Sequence, residues 1–201
     1  MMKKQTGFTL IEIAIVMVII GLLLVGVLKG QELITNSKIS RMSNDFNGIS
    51  AGVFSYLDRY GAYPGDDENA LARWGGDADA GDGDGLITGD PFSASVADES
   101  RQVWIHLRQS GLVTGSGTNL PNHAFGGPIG VADSPAGTNI TGNAICMQNI
   151  EGKIPEILDR QLDDGAGDSG ELQNTDSTAE SPTPMKPNFT ICTRWHFYHF
   201  E

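Results

Sequence analysis

The stretch FTLIEIAIVMVIIGLLLVGVL, residues Phe8 to Leu28, decides how the rest of the chain is read. It is apolar apart from Thr9, Glu12, Gly21 and Gly26. As a helix rising about 1.5 Å per residue it is about 31 Å long, close to the roughly 30 Å hydrocarbon core of a bilayer. Ahead of it stands the short basic segment MMKKQTG, whose Lys3 and Lys4 would hold the helix start on the cytoplasmic side. No small-residue cleavage site of the A-x-A type follows the apolar run, so an ordinary secretory signal does not fit. A plain anchor accommodates the length but leaves Glu12 unexplained. A carboxylate inside a bilayer costs roughly 2.5–3.5 kcal/mol on insertion scales, so something must offset it. Gly21 and Gly26 admit two readings: close approach between helices, or weak points where the helix can melt.

Beyond Lys29 the pattern changes from uniformly apolar to periodic. Ile39, Met42, Phe46, Ile49, Val53, Tyr56 and Tyr60 recur at alternating steps of three and four, which places them on one helical face. Ser40, Arg41, Asn44, Asp45, Asn47 and Ser50 fill the gaps with polar groups. No proline interrupts the stretch, and Gly61 with Pro64-Gly65 supplies a stop. The spacing predicts one helix from about Phe8 to Tyr60, membrane-spanning over 8–28, with its second half packed under whatever follows.

The residues Gly7-Phe8-Thr9-Leu10-Ile11-Glu12 resemble the signature of type IV prepilins and of the pseudopilins of type II secretion. The resemblance implies that a prepilin peptidase cuts between Gly7 and Phe8 and methylates the new N-terminal amine of Phe8. Residues 1–7 are then a cleaved leader, 8–60 the long helix and 61–201 an exported globular head. Loss of Lys3 and Lys4 with the leader takes the formal charge from −12 to −14. Glu12 becomes the fifth residue of the mature chain, placed to meet the N-terminal amine of a neighbouring subunit. A charge in lipid would thus be neutralised by assembly, and correct register favoured. The partners implied are sister pilins or pseudopilins, the prepilin peptidase, an inner-membrane assembly platform and a cytoplasmic ATPase. The location implied is the bacterial inner membrane as a single-pass precursor, followed by a periplasmic or extracellular filament.

The head is poor in apolar residues, rich in glycine and loop-like, so it can bury only a modest core. Its acidity argues against a nucleic-acid partner, which would need clustered Lys and Arg, and is read first as solubility. Asp98 is placed to cap a helix running through about Ser110, with Val103, Trp104 and Leu107 inward and Gly111 ending it. Asn143–Ile150 and Phe189–Phe200 have strand compositions, and Pro155 starts a short helix through Leu162. In an exported chain Cys146 and Cys192 are expected to form a disulfide, closing a loop of roughly 45 residues between the two strands. The fold class expected is α+β: a long N-terminal helix packed on a small antiparallel sheet, with a loop-rich, pilin-like head.

Two acidic, glycine-rich stretches bear on cofactors. In Asp77-Ala78-Asp79-Ala80-Gly81-Asp82-Gly83-Asp84-Gly85 the carboxylates of Asp77, Asp79, Asp82 and Asp84 are candidate ligands for Ca²⁺, a hard cation that takes six to eight oxygens. Asp82 to Ile87 resembles the middle of an EF-hand loop, but Ala80 stands at the first-ligand position and Pro91 at the twelfth, so a true EF-hand is not expected. Asp163-Asp164-Gly165-Ala166-Gly167-Asp168 resembles the Asp-Asp-Gly turn of some prepilin-like heads and is read first as a structural turn, with metal binding as the alternative. The chain contains no Walker A sequence and no C-x-x-C-H. His106, His123, His196 and His199 are scattered and read as structural or surface residues. The expectation is a structural filament subunit of a type IV pilus or secretion pseudopilus, minor or specialised, and not an enzyme. The alternative is a filament-displayed, Ca²⁺-dependent binding or adhesion module.

Overall fold

A computed structural model describes residues 9–76, 78–150, 153–167, 169–174 and 189–194. The first helix, α1, runs Leu10–Tyr60, and its C-terminal end falls where the glycine–proline stop predicts. The chain divides into two compact units, Met1–Lys38 and Ile39–Glu201.

In the first unit the described residues leave the large apolar side chains of α1 exposed. Leu10, Leu22, Leu28 and Leu33 are 92%, 70%, 65% and 70% exposed. A water-soluble surface does not carry so long an apolar run. The helix is long and apolar enough to cross a membrane.

The second unit holds α2 (Ala70–Trp74), α3 (Glu99–Gln109), β1 (Ile129–Asp133), β2 (Asn143–Ile150), α4 (Ile154–Leu162), β3 (Leu172–Asn174) and β4 (Phe189–Arg194). The four strands form one antiparallel sheet in the order β1-β2-β4-β3. This is the expected α+β class. The inner face of the sheet carries Ile129, Val131, Ile145, Met147, Leu172 and Ile191, which join the stripe Ile39, Met42, Phe46, Ile49, Val53 and Tyr56 in one core. Period-two alternation on the strands meets three-and-four alternation on the helix. Val103, Trp104 and Leu107 of α3 complete that core, each fully buried.

Among the described residues Trp104 is the bulkiest fully buried side chain, and its indole N–H has no hydrogen-bond partner there. Trp104→Ala is expected to cost about 3–5 kcal/mol, read by chemical denaturation of the full chain in detergent. Trp104→Phe should cost clearly less, because it removes an orphan donor whose burial costs about 1–3 kcal/mol. Equal losses for the two variants would mean that the indole N–H is satisfied in solution.

The outer face of the sheet carries a smaller cluster of Ile140, Ala144, Cys146 and Cys192, with Phe92 against it. Cys146 and Cys192 are directly opposed on β2 and β4 and form a disulfide, 46 residues apart in sequence. The loop preceding α3 crosses β1 at Gly130, where any Cβ would stand 2.0 Å from the carbonyl oxygen of Pro91. Only glycine admits that approach.

Three details differ from the sequence reading, and one expected element is described only in part. Asp98 is the N-cap residue of α3, but its side chain makes no capping bond and instead accepts the Ser93 hydroxyl. β4 is described only to Arg194, so the expected strand beyond it, with His196 and His199, lies outside the described residues. β1 and β3 are strands that composition does not announce. The short helix α2 is likewise unannounced.

Candidate functional site

The N-terminus of α1 is built as a reciprocal cap. Thr9 is followed three residues later by Glu12, the spacing of a capping box. Glu12 Oε2 accepts from both the backbone N–H and the hydroxyl of Thr9, each at 2.8 Å, and Thr9 Oγ1 accepts the Glu12 N–H at 3.3 Å. The one carboxylate in the apolar segment is therefore engaged by its own chain, at the helix end where the macrodipole favours negative charge. Beyond it, Ile11, Ile13, Ile15, Val16, Met17 and Val18 are all about half exposed or more. The candidate processing residues Gly7 and Phe8 lie outside the described residues.

A capped helix start, a single carboxylate and an uncovered apolar surface are the parts that membrane insertion followed by helix packing would use. Residues 2–28 match the family model for the prokaryotic N-terminal methylation motif. The chain carries a type IV prepilin N-terminus. None of the curated proteins and none of the solved structures compared with it matches. That match covers residues 2–28, and the rest of the chain is read from its own chemistry.

In the head the acidic loop is organised by carboxylates outside it. Asp66, 2% exposed, accepts the N–H groups of Gly83 (2.7 Å) and Asp84 (3.1 Å) on Oδ1 and of Gly85 (2.9 Å) on Oδ2. Burial raises its carboxyl above the usual range, the Gly85 and Gly83 N–H groups pull it back, and Glu99 and Asp84 raise it further. Glu99 takes the Asp82 N–H at 3.1 Å on one oxygen and the N–H and hydroxyl of Thr88 at 2.8 and 2.7 Å on the other. Gly81 passes so close to Asp66 that a Cβ would stand 2.3 Å from its Cα.

Of the four candidate ligands, Asp77 lies outside the described residues. Asp82 and Asp84 each accept a backbone N–H two residues on, from Asp84 at 3.2 Å and Leu86 at 2.8 Å. Asp79 faces Gln102, whose amide lies 3.4 Å from its Oδ2. The structure brings Asp82 together with Asp66 and Glu99, carboxylate oxygens within 4.8 Å of one another. Spacing within the loop could not indicate that grouping, since Asp66 and Glu99 flank it from either side.

A second polar network ties α2 to α1. The Asp67 carboxylate, 1% exposed, accepts the Tyr56 hydroxyl at 2.7 Å, the Asn69 N–H at 2.9 Å and the Arg73 guanidinium. Burial alone would raise Asp67, but the bonds from Tyr56, Arg73 and Asn69 together outweigh it and hold the carboxyl below its usual range. Burial and the Asp67 bond push the Tyr56 hydroxyl the other way, well above its ordinary value. The Arg73 guanidinium also lies over the rings of Tyr60 and Trp74, at 4.3 and 5.0 Å.

His106 and His123 are brackets between segments. His106 Nδ1 accepts the Gly65 N–H at 2.8 Å, which leaves Nε2–H to donate to the Asp79 carbonyl at 2.9 Å. Burial lowers its pKa, so the ring is neutral. His123 accepts the Phe125 N–H on Nδ1 and reaches the Gln148 carbonyl from Nε2 at 2.8 Å. Both rings have both nitrogens in use.

Proposed function

We propose that this chain is a pilin-like structural subunit, processed by prepilin peptidase and assembled through residues 8–60 into a type IV pilus or type II secretion pseudopilus. The observation that carries this is the methylation motif at 2–28 overlapping a helix whose large apolar side chains from Leu10 to Ile34 are left exposed by the described residues. A bilayer covers them in the precursor, and the same surface on sister subunits covers them in a filament. Gly7 and Phe8 are the cleavage and methylation residues, and Glu12 is the assembly residue. The partners are the peptidase, sister pilins or pseudopilins, an inner-membrane platform and a cytoplasmic ATPase. The head is displayed in the periplasm or outside the cell.

A minor or specialised role suits the head better than bulk polymer. It is loop-rich, and much of its order comes from buried carboxylates holding backbone N–H groups. The same features fit a structural role better than catalysis, since the buried Asp66, Asp67, His106 and His123 already serve as anchors.

Mass spectrometry of the protein purified from membranes, with and without a prepilin peptidase in the host, tests the reading. The expected product with the peptidase begins at N-methylated Phe8, and the control retains MMKKQTG. An intact leader in both hosts, or cleavage elsewhere, would leave an acidic domain on an ordinary anchor.

A further inference from the structure

At the end of α4 the structure adds Asp159 to the acidic turn Asp163-Asp164. Asp159 lies in the last turn of the helix, Asp163 is its C-cap residue, and Asp164 follows. One carboxylate oxygen from each lies within 4.8 Å of the others. Asp159 is 1% exposed, and its buried Oδ1 has no hydrogen-bond partner among the described residues. That atom distinguishes this cluster from the Asp66 group, where both oxygens of the buried acid are taken by backbone N–H groups.

Electrostatics makes the arrangement costly as it stands. A helix C-terminus is the negative end of the macrodipole, and its last carbonyls lack helical partners. Three acids at that end repel one another. Burial raises the Asp159 carboxyl above its usual range, the Gly165 N–H offsets part of this, and Asp164 and Asp163 raise it further, with Arg160 opposing weakly. The loop that follows is nonetheless held in one shape. Asp163 Oδ2 accepts the N–H groups of Glu171 and Leu172, the latter at 2.8 Å. Asp164 accepts the Ala166 N–H at 2.8 Å and the Ser169 hydroxyl at 3.0 Å. The acids are thus positioned by their surroundings rather than free to separate.

We propose that Asp159, Asp163 and Asp164 hold a divalent hard cation of the Ca²⁺ type at the C-terminus of α4. Ca²⁺ fits better than Mg²⁺. It accepts six to eight oxygens in irregular geometry, which carboxylates, helix-end carbonyls and water together supply, whereas Mg²⁺ demands a near-ideal octahedron. The cation supplies the missing partner of Asp159 and relieves the repulsion, locking the turn that leads from α4 into β3. The assignment does not depend on the filament reading.

The test is calorimetric titration of CaCl₂ into the full-length precursor in detergent after chelator treatment, with thermal unfolding in parallel. One saturable site is expected. At about 100 times the Kd, the midpoint of unfolding should rise by roughly 5–10 °C. Asp159→Asn and Asp164→Asn should each weaken binding at least about 10-fold, while Asp82→Asn leaves it unchanged. Asp164 is exposed, so its variant carries the test if Asp159→Asn fails to fold. No heat and no thermal shift at millimolar Ca²⁺ would overturn the proposal. So would a Ca²⁺ response kept in a folded Asp164→Asn protein, one lost in Asp82→Asn alone, or an equal response to Mg²⁺.

Discussion

Glu12→Ala is expected to be inserted and processed as the parent chain is, and to be lost from filaments. The alanine variant removes an acid from an apolar segment, so insertion becomes easier by up to about 2.5–3.5 kcal/mol. What it removes from assembly is larger in effect. In the single chain Glu12 is occupied by Thr9, through two bonds of 2.8 Å. In the proposed filament it exchanges that partner for the amine of the incoming subunit, and without it a buried amine remains with no counter-charge. Breaking one side of such a pair costs about 3–5 kcal/mol, enough to reduce incorporation by two to three orders of magnitude. Thr9→Ala separates the two roles of Glu12. It removes the cap, worth about 1 kcal/mol, but keeps the charge, and should still assemble. The measurement is the ratio of sheared-filament to membrane-bound protein by immunoblot. A Glu12→Ala ratio within twofold of the parent would remove the assembly role.

The second large effect concerns the head. Replacing both cysteines, Cys146→Ala with Cys192→Ala, is expected to cost about 4 kcal/mol on the chain-entropy model for a closed loop of this length. At roughly 2–4 °C per kcal/mol this lowers the unfolding midpoint by about 8–16 °C. The cost is high relative to a typical domain stability of about 5–15 kcal/mol. Two features place the bond where it matters. β2 and β4 are neighbours in the sheet, yet α4 and β3 lie between them in sequence. Among the described residues the cluster around the sulfurs holds Ile140, Ala144 and Phe92, so little apolar burial stands in for the lost crosslink. Thermal unfolding of the double variant beside the oxidised parent checks this. A shift below about 2 °C would mean that the pairing of β2 with β4 is held by the rest of the sheet.

Periodicity was legible in the sequence; strand pairing was legible only where Cys146 and Cys192 link β2 to β4. The stripe from Ile39 to Tyr56 is buried as its spacing predicts, because a helix fixes its own faces without outside help. Val103, Trp104 and Leu107 face the core for the same reason, and β2 spans the expected Asn143–Ile150. β3 could not be foreseen. Its three residues, Leu172, Gln173 and Asn174, have no strand signature and owe their conformation to β4 alongside them. α2 is similarly short, and depends on Asp67 holding Asn69 and Arg73. At the acidic loop, closely spaced Asp and Gly suggested oxygens turned toward one centre. Local bonds two residues on take up one oxygen each of Asp82 and Asp84, and the acid that organises the loop is Asp66, from the preceding turn. Asp159 escaped notice because it sits within a helix of ordinary amphipathic pattern, and only tertiary structure leaves its Oδ1 without a partner.

The way Asp66 and Glu99 grip the loop has a consequence for variation. They hold it by N–H groups, which every residue but proline provides, so the grip does not read side-chain identity at Asp82 or Asp84. The constraint is concentrated in the two anchoring acids and in glycines such as Gly81 and Gly130, which admit close backbone passage. The exposed residues of the loop can then be rewritten while its path is kept. A subunit built this way can change what it presents to its surroundings without renegotiating how it folds.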